Sequence, residues 1–110
     1  MTNQLQGKLP HECMNKAEIR NEIDAIDYEI IKLFGLRFQY VKEIVKFKEK
    51  TPESIVAAKR QQQVFEKRRE WAVENGIEPD IIEEIYRKLI QYFINEELQI
   101  VKSNHDNKSL

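Results

Sequence analysis

The sequence predicts an all-α protein: three helices per protomer, the first of them long, assembled as a homodimer. Three observations carry this. Apolar residues recur at steps of three and four over long stretches, which is the period of amphipathic helices rather than strands. Only three Gly and three Pro interrupt 110 residues, so the elements are few and long. The first amphipathic stretch is also too long for one chain of this size to cover.

Residues 1–14 are polar and aperiodic, with Pro10 near the end, and read as an extended lead-in. Asn15 is a good N-cap, and Glu18 stands three residues on, where the partner of a capping box belongs. The first helix runs from there to about Lys50. Its stripe is Ile19, Ile23, Ile26, Ile30 and Leu33; the next step falls on Arg37, and the pattern resumes with Tyr40, Ile44 and Phe47. Gly35 costs roughly 1 kcal/mol relative to Ala inside a helix, and its small size suits a close helix crossing. About 35 residues at 1.5 Å each make a rod of about 52 Å, against a radius of gyration of about 13 Å for a compact chain of this length. Two further helices cannot cover such a rod, whereas the same helix of a second copy, laid beside it, can.

Thr51-Pro52-Glu53-Ser54 is a break and a restart, with Thr51 or Ser54 able to cap and Pro suited to a first helical position. The second helix is expected over Ser54–Glu74, with Ile55, Val56, Val64, Phe65 and Trp71 as its apolar contacts. The run Lys67-Arg68-Arg69 reads as solvated charge. Asn75-Gly76 supplies a C-terminal stop. Pro79 opens the third helix, with Asp80, Glu83 and Glu84 suiting its positive end. Its apolar residues cover more than one face, so it should be mostly buried. The line Tyr86, Ile90, Ile94 continues onto Glu97 and then Val101. The helical domain therefore spans 15–101, between the lead-in and a polar tail, 102–110, expected to fray.

Composition excludes several functions. Eighteen basic and nineteen acidic residues leave a net charge of −1, without the electrostatic footprint for nucleic acid or an anionic membrane. The single Cys13 cannot form an intrachain disulfide and fits a reducing cytosol, so a cytoplasmic location is expected. Met1 to Lys8 lacks the apolar core of a signal peptide, and no run reaches membrane-span length. His11, Cys13 and His105 lie toward the ends of the chain, so neither a metal centre nor a Cys–His nucleophile is expected.

Two charged residues thus sit on apolar lines, where charge is costly unless paired. Arg37 meets either a structural carboxylate, such as Asp24 or Asp27, or an anionic ligand. Glu97 makes either a ligand contact or a salt bridge. On a continuous helix Lys48 would follow Arg37 at about 20° around the axis and about 16 Å along it, room enough to flank a small molecule. Arg20 points about 100° away from Arg37, and a partner subunit's helix would be needed to bring it to the same ligand. Arg60 is ambiguous, since basic and polar residues surround it.

The run Ile19-Arg20-Asn21-Glu22-Ile23-Asp24-Ala25-Ile26-Asp27, then Arg37, then Lys46-Phe47-Lys48, resembles the all-helical chorismate mutase family. Pro10-His11-Glu12-Cys13 and Arg69-Glu70-Trp71-Ala72-Val73-Glu74-Asn75-Gly76 are similar, more narrowly, to the isochorismate pyruvate lyases of salicylate biosynthesis. The resemblance covers roughly residues 10–101. It implies three-helix protomers in an intertwined homodimer with two sites. Each site would bind a dicarboxylate, chorismate or isochorismate, and catalyse a pericyclic reaction without metal or cofactor. Carried over by position, Arg20 is donated by the other subunit, Arg37 and Arg60 hold carboxylates, and Lys48 lies near the ether oxygen of the breaking bond. Glu97 stands opposite Lys48, where many members have Gln. Ala57 replaces an aspartate that can follow the first loop in the family.

The residue types suit that chemistry. A unimolecular rearrangement needs a compact conformer and stabilisation of charge separating across a C–O bond, and arginine forks match carboxylates. An ionised Glu97 would repel charge building on an ether oxygen, so it is expected to work as the neutral acid when substrate is bound. The expected function is chorismate mutase, giving prephenate. The alternatives are isochorismate pyruvate lyase, giving salicylate and pyruvate, and a non-catalytic helical dimerisation or regulatory module.

Overall fold

The structure, a computed structural model, describes residues 7–48, 51, 53 and 57–109. Among these residues the chain is all-helical. It has α1 (Lys16–Ile44), α2 (Ala58–Glu74) and α3 (Pro79–Ser109), with short 3-10 turns at Pro10–Glu12 and Val45–Phe47. By compactness it divides into two units, Met1–Tyr40 and Val41–Leu110. No helix among the described residues is long and apolar enough to cross a membrane.

In the first unit, the Asn15 side chain caps α1 by accepting the Glu18 N–H at 3.0 Å. The Glu18 carboxylate reaches past the cap to the N–H of Met14, at 2.7 Å, and pairs with Lys8 at 2.9 Å. The lead-in is therefore not simply extended. It carries the Pro10–Glu12 turn, closed by the Leu9 N–H on the Glu12 carboxylate at 2.9 Å, and Glu18 ties it to the start of α1. The stripe Ile19, Ile23, Ile26, Ile30 and Leu33 is present, yet each of these side chains is 44–56 % exposed. A side chain added at Gly35 would meet nothing within 4 Å among the described residues.

In the second unit, α1 stops at Ile44, six residues before the expected end near Lys50. No Gly or Pro stands here to signal the stop. Tertiary packing overrides propensity instead: the last turn tightens to 3-10 geometry, which buries Val45. Helix α2 begins at Ala58, later than expected. Its N-cap is Ala57, in the left-handed region (φ 45°, ψ 60°), with no side-chain cap. Ser54, Ile55 and Val56 lie outside the described residues, and Thr51 does not cap α2.

The turn from α2 to α3 follows the sequence closely. Gly76 adopts φ 72°; its N–H donates to Val73 O at 3.1 Å and the N–H of Ile77 to Ala72 O at 2.9 Å. This is the Schellman arrangement, which needs a left-handed residue at that point. Pro79 then starts α3. The core forms where α2 packs on α3. Val64, Phe65, Ile90 and Ile94 are buried together, with Tyr86, Leu98 and Val101 against them. Ile81, Ile85 and Tyr92 stay exposed, so α3 is buried along one side rather than mostly buried. Helix α2 covers one of its faces. The helix continues to Ser109 where fraying beyond Val101 was expected; no Gly or Pro in 102–109 ends it.

Candidate active site

The line Tyr86, Ile90, Ile94, Val101 forms one side of the core, and Glu97 lies on it in register. The fold thereby carries Glu97 inward: only 5 % of its side chain is exposed. Opposite it stands Lys48, which closes the Val45–Phe47 turn in an extended conformation (φ −96°, ψ 153°), its N–H donating to Val45 O at 3.3 Å. Lys48 Nζ donates to Glu97 Oε2 at 3.1 Å, and the lysine side chain is 21 % exposed. An ammonium and a carboxyl group thus meet where solvent is mostly excluded. In such surroundings polar contacts to a ligand are strong, and an unpaired charge would be costly.

Of the five residues expected in the site, the structure brings Lys48 and Glu97 together. The shared-face geometry expected for Arg37 and Lys48 does not apply, because α1 ends at Ile44 and Lys48 lies beyond it in extended backbone. Arg37 is half-buried on α1 and makes contacts of its own. Arg20 is exposed on α1. Arg60 is exposed in the first turn of α2 and makes no ion pair or hydrogen bond among the described residues.

The run Lys67-Arg68-Arg69 is only partly the solvated charge expected. Lys67 is exposed beside Glu70, but Arg69 holds Asp80 and Glu83, each at 2.9 Å. Glu83 also takes Arg87, at 2.6 Å. The Arg87 and Arg69 guanidiniums together hold the Glu83 carboxyl below its usual range. Arg68 is half-buried, its guanidinium carbon 4.7 Å from the Trp71 ring centre and 5.6 Å from that of Tyr86. The sequence held a signal for this. Val64, Arg68 and Trp71 stand at i, i+4 and i+7, so Arg68 continues an apolar line as Arg37 and Glu97 do.

Fold and site together define an all-helical protein in which charged groups are set into apolar helical seams. The sequence profile of the chorismate mutase type II family matches residues 19–98, and the chain belongs to that family. It is 34 % identical over 92 residues to an isochorismate pyruvate lyase of Pseudomonas aeruginosa, a match covering 84 % of this chain and 90 % of that protein. It is also 34 % identical over 74 residues to a T-protein of Haemophilus influenzae, covering 67 % of this chain and 20 % of that much longer relative.

Proposed function

We propose that the protein is a chorismate mutase-type enzyme, converting chorismate to prephenate by electrostatic and conformational catalysis without a cofactor. The observation that carries this is the enclosed Lys48–Glu97 pair at 3.1 Å, both residues lying within the span matched by the family. In the rearrangement the ether C–O bond breaks as a C–C bond forms within the same molecule, and no atom enters or leaves. The protein needs only to hold the compact conformer and to stabilise the charge that separates. Lys48 donates to the ether oxygen as negative charge builds there. Glu97 in its neutral form donates to the same region; ionised, it would repel that charge.

Arg37 and Arg60 bind the substrate carboxylates through their forked donors. Arg20 does so from the partner subunit of an intertwined homodimer. Support for the dimer comes from α1, whose apolar stripe is left half-exposed by its own chain.

The second reading is isochorismate pyruvate lyase, favoured by the relative that this chain matches over 90 % of its length. There the ether C–O bond breaks as a ring hydrogen passes to the enolpyruvyl methylene, releasing pyruvate and leaving salicylate, and the same cations serve. A non-catalytic dimerisation module is the third. Chorismate and isochorismate offered separately to the purified protein distinguish them. Prephenate from chorismate is the expected result. Pyruvate from isochorismate alone would establish the lyase instead, and turnover of neither by a folded protein would leave the module.

A further inference from the structure

Three arginines crowd the α2–α3 side of the second unit, and they are treated differently. Arg69 holds two carboxylates and Arg87 holds one. Arg68, between the Trp71 and Tyr86 rings, makes no hydrogen bond or ion pair among the described residues, and its Nε is buried without an acceptor. A guanidinium offers five N–H donors, and a half-buried one without an acceptor is poised for an anion. Beside it lies a cavity of about 240 Å³. Its other walls are Trp71, Ala72, Asn75, Ile77, Ile82 and Tyr86. The Asn75 amide donates to Trp71 O at 2.9 Å and fixes the corner of the cavity.

We propose that this cavity is a second ligand site, taking a small monocarboxylate carried on a flat apolar body. Each part of that description has its cause in the walls. One positive group with unused donors selects one negative charge, because neighbouring Asp80 and Glu83 are already engaged by Arg69. The fork of a guanidinium matches a carboxylate in geometry. Ile77 and Ile82 offer no polar group to a second charge, and Trp71, 43 % exposed, offers apolar surface for a ring to pack on. The volume lies below the roughly 300–1,000 Å³ of pockets for drug-sized molecules, so the ligand is about one ring in size. None of these residues has a role in the proposed catalytic site, and the second site stands or falls independently of it.

Trp71 is the one tryptophan in the chain, so its emission reports the cavity directly. Benzoate titrated into the full-length protein should give a saturable change. Benzamide, which keeps the ring but not the charge, and acetate, which keeps the charge but not the ring, should bind at least about tenfold more weakly. Arg68→Gln should weaken benzoate to a similar degree, while Lys48→Ala should leave the titration unchanged, separating this cavity from the surroundings of Lys48. Where Arg68→Gln fails to fold by circular dichroism, Arg68→Lys takes its place: it keeps the charge but loses the planar fork, and should weaken benzoate several-fold. An unsaturable response to benzoate, an equal response to benzamide or acetate, loss of the response in Lys48→Ala, or wild-type affinity in the Arg68 variant would overturn the proposal.

Discussion

Single residues decide both the chemistry and the sharpest turn of this protein. On the proposed mechanism Lys48 donates to the ether oxygen, and removing one preorganised donor at a site of developing charge costs about 10²–10³ in kcat. Lys48→Ala should therefore fall by that order in single-turnover assays with chorismate while keeping its helical circular dichroism. On the same mechanism Glu97 donates a hydrogen bond toward the ether oxygen, so Glu97→Gln, which keeps a donor there, should retain kcat with chorismate, whereas Glu97→Ala should lose most of it. Equal loss in both variants would remove Glu97 from that role. At the α2–α3 turn, Gly76 holds a positive φ that a side chain resists. Gly76→Ala should lose about 1–2 kcal/mol in denaturant unfolding, with no clash involved, because nothing lies within 4 Å of the added carbon.

At the same scale, the sequence was most legible where a charged residue interrupted an apolar line. Glu97 was found this way, and its pairing with Lys48 followed from the family's motif order. Arg68 obeyed the same rule and was masked by the charges on either side of it. A planar cation can be buried by stacking, so composition alone could not separate it from Lys67 and Arg69.

At the scale of elements, the helix starts were readable where the capping chemistry is local. Asn15, Asn75-Gly76 and Pro79 did what their side chains and backbone preferences dictate. The end of α1 was not readable, because the placement of Lys48 against Glu97 depends on a residue 49 positions away. The α2 and α3 helices are also stapled by charge, through Glu83 with Arg69 and Arg87. Those guanidiniums hold the Glu83 carboxyl below its usual pKa in the folded state. A carboxyl depressed on folding adds stability that is complete above its unfolded value and is lost as pH falls through the folded one. Thermal stability should therefore drop on acidification from the usual carboxylate range downward. Glu83→Gln should make that acid limb shallower when the melting temperature is followed against pH.

At the scale of the whole molecule, the proposed assembly makes a stringent prediction. If Arg20 serves a site whose Lys48 belongs to the other subunit, Arg20→Ala and Lys48→Ala homodimers should each be nearly inactive. Unfolding them together and refolding as a mixture should then restore about a quarter of native activity, since half of the dimers are hybrid and each hybrid has one complete site. Recovery of nothing would place both residues on one chain's site. The sequence pointed to a partner through the length expected of the first helix, and the proposed dimer would cover the stripe that stands half-exposed on α1. How two such helices register against each other depends on surfaces that only meet in the pair, beyond what periodicity along one chain encodes.

The Schellman corner at Gly76 has a consequence for how such a molecule comes into being. Helices α2 and α3 meet through a connection of only a few residues, and the contacts between them form the core of the second unit. Their union closes a short loop and should be an early, unimolecular event. On the proposed dimer, helix α1 covers its apolar stripe against another copy, so its completion waits on collision. A newly made chain would be a finished hairpin trailing an unfinished arm, and the abundance of the protein itself would set how quickly it matures.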